Sequence, residues 1–264
     1  MYENKVVWIT GASSGIGEAL SYEFSKHSAK LVLSARNAEK LEAVKKRCKN
    51  SADIMILPLD LSQHNSLLSK VKAVEEKFGR IDVLINNGGI SQRSTAINTL
   101  LEVDKQIMDV NYFGAVALTK AVLPVMIKQG SGHLCVISSV AGKIGVPFRT
   151  AYSASKHALF GFFDTLRAEL WPHNINVTLI CPGFVRTALA HNALTGEGEA
   201  NKKSDKEIDS GIDPQLLSRK IIKALQKNKA EAYIGGFTEI LGVYIKRLSP
   251  ALFAKVIRKR MKAD

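Results

Sequence analysis

Cysteine is scarce in this chain. Three occur in 264 residues, Cys48, Cys135 and Cys181. An odd count leaves no fully paired disulfide framework, and none of them stands at metal-ligand spacing. No metal site is therefore expected. Cys135 and Cys181 lie in apolar, strand-like runs, which points to buried, reduced thiols in a reducing, cytoplasmic setting. No run of 18 apolar residues and no charged-then-apolar leader is found, so neither a membrane span nor a signal peptide is expected. Acid is also in short supply. The chain carries 24 Asp and Glu against 37 Lys and Arg, a net charge of +13. From residue 201 onward there are 15 basic and 7 acidic residues, so +8 of the excess sits in the last quarter. That asymmetry implies an anionic partner: phosphate, a lipid surface or nucleic acid. With no basic motif interleaved with aromatics and no zinc spacing, a specific nucleic-acid partner is not expected, because basic charge alone binds without selectivity.

Apolar residues make up 46% of the chain, enough for a sizeable core. Strand and helix signals alternate through most of the length, which favours one α/β domain over two small ones. Residues 5–10 (KVVWIT) read as a strand, 11–17 (GASSGIG) as a glycine-rich turn, and 18–26 as a helix. Strand, glycine turn and helix is the context a dinucleotide site needs. Gly11 permits the tight turn, Gly15 lets backbone approach a pyrophosphate, and Gly17 lets helix and strand pack closely. The helix start offers free N–H groups to phosphate. The second strand, 30–34, runs into Ala35-Arg36, where an NAD-binding chain places an acid for the ribose 2′-hydroxyl. An Arg there pairs with a 2′-phosphate instead, so NADP(H) is the expected cofactor. Strand three, 53–59, ends in Asp60-Leu61, a helix covers 62–77, and strand four, 81–85, runs into Asn86-Asn87-Gly88-Gly89.

Residues 102–128 read as one long helix with Asn111 in the middle, an unfavourable place for Asn. Strand five, 133–137, ends at Ser138-Ser139. A loop at 141–150 leads to a helix reaching about Trp171, which carries Tyr152 and Lys156 four residues apart on one face. An ammonium near a phenol favours the phenolate and would draw a pKa near 10 toward neutrality. A phenol so tuned exchanges protons at physiological pH. Strand six, 175–181, precedes Pro182-Gly183, and the polar stretch 188–212 reads as a flexible lid over the site. A helix at 215–227 and strand seven at 231–236 follow. Residues 249–264 read as a basic amphipathic helix, either interfacial at an anionic membrane or packed on the domain with its basic face in solvent.

Taken together, Thr10-Gly11-x-x-x-Gly15-x-Gly17, Asn86-Asn87-Gly88-Gly89, Asn111, Ser139, Tyr152-x-x-x-Lys156 and Pro182-Gly183 resemble the short-chain dehydrogenase/reductase family over roughly residues 4 to 190. Gly88 stands where that family more often has Ala. The basic tail and the stretches at 141–143 and 162–170 are similar to a branch with 11-beta-hydroxysteroid dehydrogenases and acyl/alkyl-dihydroxyacetone-phosphate reductase-like enzymes.

The resemblance implies a single doubly wound Rossmann-type domain, a seven-stranded parallel sheet with helices on both faces, spanning 1–248. It implies NADP(H)-dependent interconversion of a hydrophobic or lipid-like ketone or aldehyde and its alcohol. Tyr152 would be the general acid/base and Lys156 would lower its pKa and bond the nicotinamide ribose. Ser139 would hold the substrate oxygen, and Asn111 would seat a water beside Lys156 at a helix distortion. Ser13, Ser14 and Ile16 would join the glycines around the phosphates. Asp60 and Leu61 would border the adenine, and Asn86, Asn87 and Gly88 would lie by its ribose. Pro182, Gly183, Val185 and Thr187 would meet the nicotinamide. A homodimer or homotetramer is expected, and a catalytically idle NADP-binding regulator is the alternative.

Overall fold

The computed structural model describes residues 2–189, 191–203 and 206–260. Residues 261–264 of the expected C-terminal helix, and Ala190, Ser204 and Asp205 of the expected lid, lie outside them.

Strands β1 (Val6–Thr10), β2 (Lys30–Ser34), β3 (Ile54–Ile56), β4 (Val83–Asn86), β5 (Gly132–Ile137), β6 (Ile175–Pro182) and β7 (Glu231–Ile234) form one sheet in the order β3-β2-β1-β4-β5-β6-β7. Every neighbouring pair is parallel. A sheet covered on both faces must be apolar at successive positions, and β1 shows why its run is unbroken. Val6 and Trp8 face one core layer, while Val7 and Ile9 face the other. Helices α1 (Gly15–Lys26), α2 (Ala38–Arg47), α3 (Leu67–Phe78), α4 (Leu101–Met108), α5 (Gly114–Lys128) and α6 (Thr150–Glu169) divide between the two faces. α1 and α2 bury Leu20, Phe24, Leu41 and Val44 on one side. α3, α5 and α6 bury Val71, Leu118, Val122, Phe163 and Leu166 on the other.

Several expected boundaries shift, α3 beginning at Leu67 rather than 62 among them, and two of the shifts have identifiable reasons. β3 is shorter than residues 53–59, although Leu57 and Leu59 still donate to Leu33 and Ala35 carbonyls. Pro58 between them has no N–H and breaks the regular ladder. The helix expected over 102–128 is not uniform. A five-residue π-helical segment, Asp109–Phe113, separates α4 from α5. The whole run Leu101–Lys128 is long and apolar enough to cross a membrane by length and composition, a property not expected from the sequence. In the fold its Ile107, Leu118, Val122 and Met126 are fully buried in the core.

Among the described residues of 188–212, the chain is stitched to its surroundings. Leu194 pairs with Gln92, and Ile212 with Val185. Leu194 N–H donates to Ser91 O, and Leu100 N–H to Gly196 O. The short helix α7 (Lys206–Asp209) precedes α8 (Pro214–Gln226), which is capped by Asp213 and packs on α1. After β7 come α9 (Phe237–Leu248) and α10 (Pro250–Arg260). Phe253 of α10 is buried with Val243, Val140 and Ile144, so the C-terminal helix rests on the domain. At the opposite, amino edge of the sheet, Gly79 (φ +71°) and Gly130 (φ +65°) end α3 and the turn after α5, and a Cβ at either would meet nothing within 4 Å.

Candidate active site at the carboxyl edge of the sheet

β1 and β4 lie side by side, yet β2 and β5 continue from them in opposite directions. At such a switch point the loops after the two strands part and leave a crevice. Here the crevice is a cleft of ≈ 660 Å³. The Thr10 hydroxyl fastens its floor. It donates to Ile85 O (3.2 Å) and accepts from Asn87 N (3.0 Å) and Gly88 N (2.9 Å). Asn87 Nδ2 returns the link to Thr10 O at 2.8 Å.

Gly11 (φ +64°) and Gly15 (φ +58°) hold left-handed conformations that side chains resist. A Cβ on Gly11 would stand 2.8 Å from Asn87 Nδ2 and 2.9 Å from Gly88 Cα. On Gly17 it would collide with the Gly11 carbonyl. Ser13, Ser14, Gly15 and Ile16 line the cleft at the start of α1, where Ser14 makes no side-chain cap, so the helix N–H groups face the opening. Arg36 and Lys40 line the same end, as do Asp60 and Leu61. Burial works to raise the Asp60 pKa, but bonds from Ser62 N–H and hydroxyl, with the Arg36 charge, hold it below the usual carboxylate range. Bare helix N–H groups, glycines that let backbone approach, and two cations beyond them form a donor set that fits the phosphates of a dinucleotide.

At the other end α6 presents Tyr152 and Lys156 on its buried face, 7% and 5% exposed. Lys156 Nζ donates to Ile137 O at 2.8 Å and lies 5.7 Å from the Tyr152 ring centre. Burial lowers its pKa to about 8. Ser139 Oγ accepts from Ala141 N (3.1 Å) and reaches Pro182 O at 3.5 Å. One expectation is corrected here. Lys156 was expected to draw the Tyr152 phenol toward neutrality, but the phenol pKa is raised. Desolvation dominates, and the groups that oppose it are the Arg149 charge and a hydrogen bond with Ser139. The physical reason is that Lys156 sits at the same depth as the phenol, gives a bond to Ile137 and is itself pushed toward the neutral form.

Gly11, Ser13, Ser14, Gly15, Ile16, Arg36, Asp60, Leu61, Asn87, Gly88, Ser139, Tyr152, Lys156, Pro182, Gly183, Val185 and Thr187 all line the one cleft. Gly17, Asn86 and Asn111 stand behind its wall. Asn86 Nδ2 donates to Thr119 Oγ1 at 2.9 Å. Asn111 lies within the π segment, its Oδ1 accepting from Ile90 N (2.8 Å) and its Nδ2 donating to Ile90 O (2.9 Å) and Ser155 Oγ (3.0 Å). Its side chain therefore clamps the Gly89–Ile90 strand exit to α6.

Sequence reasoning passed over several supporting residues. Gln92, wholly buried, accepts from Tyr152 N at 3.2 Å and donates to Thr150 Oγ1 at 3.1 Å, holding the start of α6. Ser138 Oγ donates to Lys156 O. Lys40 joins Arg36, and a Lys two residues into a helix gave no signal of its own. Ile144, Val146, Phe184, Ile208 and, from α10, Phe253, Val256 and Ile257 line the cleft beyond Tyr152, with Arg149 and Glu239 as the charged side chains there. No contact could be assigned to α10 from its periodicity alone.

The short chain dehydrogenase family model matches residues 5–198 of this chain. The chain belongs to the short-chain dehydrogenase/reductase family. Members of this oxidoreductase family use a nicotinamide cofactor and act on small molecules. Among curated relatives, a dehydrogenase/reductase SDR family protein 7-like from Drosophila melanogaster is 44% identical over 262 residues, covering 97% of this chain and 80% of that protein. A dehydrogenase/reductase SDR family member 7B from Xenopus laevis is 42% identical, covering 97% and 82%. Among solved structures, a short-chain dehydrogenase/reductase from Burkholderia phymatum in complex with NAD superposes with a TM-score of 0.84 at 21% identity, covering 95% of each chain. An alcohol dehydrogenase from the archaeon Thermococcus sibiricus, complexed with 5-hydroxy-NADP, does so at 0.75 with 26% identity, covering 89% of this chain and 97% of that one. The seven-stranded parallel sheet is thus this family's Rossmann-like fold in a single domain, and the two neighbours carry different nicotinamide dinucleotides.

Proposed function

We propose that this member of the family is an NADP(H)-dependent oxidoreductase that interconverts a ketone or aldehyde and its alcohol, on a hydrophobic or lipid-like substrate. The observation that carries the reading is that Tyr152, Ser139 and Lys156 line the same cleft as the glycine loop. A bound nicotinamide would supply or take up the hydride. Negative charge then develops on the substrate oxygen, and the Ser139 and Tyr152 hydroxyls are the groups able to meet it. A phenol whose pKa is raised keeps its proton at neutral pH, which suits Tyr152 as the acid that protonates the new alkoxide. Lys156 would bond the cofactor ribose while keeping its hold on Ile137 O.

NADP(H) preference rests on Arg36 and Lys40 at the adenosine end, with no acid directly after β2. Replacing Arg36 by Asp should swing the kcat/KM ratio toward NADH by at least about tenfold, the worth of one lost charge-assisted bond. An unchanged ratio would remove Arg36 from the phosphate site. The lipid-like substrate rests on the apolar wall of Ile144, Val146, Phe184, Phe253 and Ile257. The same reading takes 188–212 as the lid over that wall and includes a homodimer or homotetramer in the cytoplasm, at a membrane surface. Its last element rests on an exposed apolar stripe, Phe237, Leu241, Tyr244 and Leu248 of α9 with Leu252 and Val256 of α10, flanked by Lys246, Arg247, Lys255, Arg258 and Lys259.

The deciding experiment is Tyr152→Phe, followed by NADPH absorbance over a panel of carbonyl compounds. Turnover should fall by about 10²–10⁴ while NADPH still binds. Retained turnover would refute Tyr152 as the acid.

A further inference from the structure

Glu239 stands at the third position of α9, where an acid ordinarily caps its own helix. One of its oxygens does so: Oε2 accepts from Gly236 N at 2.8 Å. The other does something a cap does not require. Oε1 accepts from Phe184 N at 3.1 Å, 55 residues away in sequence. The backbone there is crowded around the carboxylate. A Cβ on Gly183 or on Gly235 would overlap Glu239 Oε2, and a Cβ on Gly235 would also come within 2.9 Å of Gly183 Cα. Gly183 N donates to Ile234 O at 3.0 Å, carrying the β6–β7 ladder up to this point. Phe184 O in turn accepts from Ile212 N at 2.9 Å. The main chain of Phe184 is thus held on one side by α9 and on the other by the end of the 188–212 segment.

We infer that Glu239 is a positioning residue that registers the Pro182–Thr187 loop against the C-terminal helices, so that the nicotinamide end of the cleft and its apolar substrate wall keep one geometry. Thr238 and Gly242 of α9, and Phe253 and Val256 of α10, belong to that wall. Pro182, Gly183, Val185 and Thr187 line the cleft where the loop turns. One carboxylate joins the two sets. Removing it leaves Phe184 N–H without its acceptor and opens a void between two glycines, so loop and helix lose their register while the adenosine end, built from α1 and the end of β2, is untouched.

This inference rests on the NADP(H) reading, and its test separates the two. Binding of NADPH and of 2′,5′-ADP, which lacks the nicotinamide half, is measured by titration for the full chain and for Glu239→Ala. The variant should bind NADPH about tenfold more weakly and 2′,5′-ADP within about twofold of the parent, and the KM for a carbonyl substrate should rise more than kcat falls. Glu239→Gln keeps the volume and one acceptor oxygen, and should fall between. If Glu239→Ala does not fold, the Gln variant carries the same comparison. Equal weakening of both ligands, or none, would overturn the positioning role and leave Glu239 as a helix cap. A parent protein that binds neither ligand would instead refute the cofactor reading.

Discussion

A base taken out of water must find its charge a partner or surrender its proton, and His133 does the second. Its Nε2 lies 2.8 Å from Thr178 Oγ1, and burial lowers its pKa to about 4. An unfolded His binds a proton near pH 6.5. Between about pH 6.5 and 4 the unfolded chain therefore holds more protons than the folded one, and stability falls as pH falls through that window. The stability carried by His133 is fully present above pH 6.5, and its loss by pH 4 amounts to about 3 kcal/mol at most. Urea melts at pH 7.5 and 5 should show the parent losing more than His133→Asn, and equal losses would remove His133 from the account. The same physics explains what was and was not legible at this scale. The spacing of four from Tyr152 to Lys156 puts both on one helix face, which a sequence displays. Which face of that helix lies at what depth, and so whether desolvation outweighs the neighbouring ammonium, depends on the β5–β6 floor below it. Arg149, the cation that opposes the rise in the phenol pKa, was invisible as such because its proximity to Tyr152 is a matter of the turn before α6.

At the scale of elements, the π segment is the clearest case of sequence and structure speaking together. An Asn in mid-helix is an anomaly of composition, and the fold resolves it with a local widening of the helix and three side-chain bonds to Ile90 and Ser155. Asn111→Ala would leave the half-buried Ile90 N–H and C=O without those partners. A loss of about 2–4 kcal/mol is expected, read as a fall of about 5–15 °C in melting temperature for a domain of this size. A melt unchanged from the parent would show the clamp to be dispensable. Strands β1, β2 and β4 to β6 were legible because burial on both faces writes a mostly apolar run, whereas β7, an edge strand, alternates half-buried and buried residues. β3 was legible only as a region, since one proline interrupts it. The register between α9 and the loop after β6 left no trace in sequence, because Glu239 and Phe184 are far apart along the chain and each is ordinary on its own.

The molecule as a whole is lopsided in charge. Between residues 237 and 260 the sequence carries six Lys and Arg and one acid, Glu239, and that acid is turned inward toward Phe184 and Gly236. The exposed stripe of α9 recurs at spacings of four, three and four residues, one side of a helix. A second copy placed symmetrically on this face would bring like charges together, whereas an anionic bilayer complements both its apolar and its basic groups. Phe237→Asp with Leu248→Asp should therefore reduce sedimentation with phosphatidylserine vesicles several-fold while leaving NADPH binding in place. Sedimentation equal to the parent's would end the membrane reading. A net charge of +13 was plain from composition. Its concentration beside exposed Leu and Phe became visible only once α10 was seen to bury Phe253 and leave Leu252 outside.

The turns at Gly79 and Gly130 belong to the far rim of the sheet, a full strand length from the groups that line the cleft. Each has open space around it and a left-handed backbone that glycine adopts without strain. A fluorophore or an affinity handle attached at exposed Lys77 or Lys128 beside these bends, with both glycines kept, should report on this protein without disturbing it, which makes the rim opposite the cleft the natural place from which to watch the cleft at work.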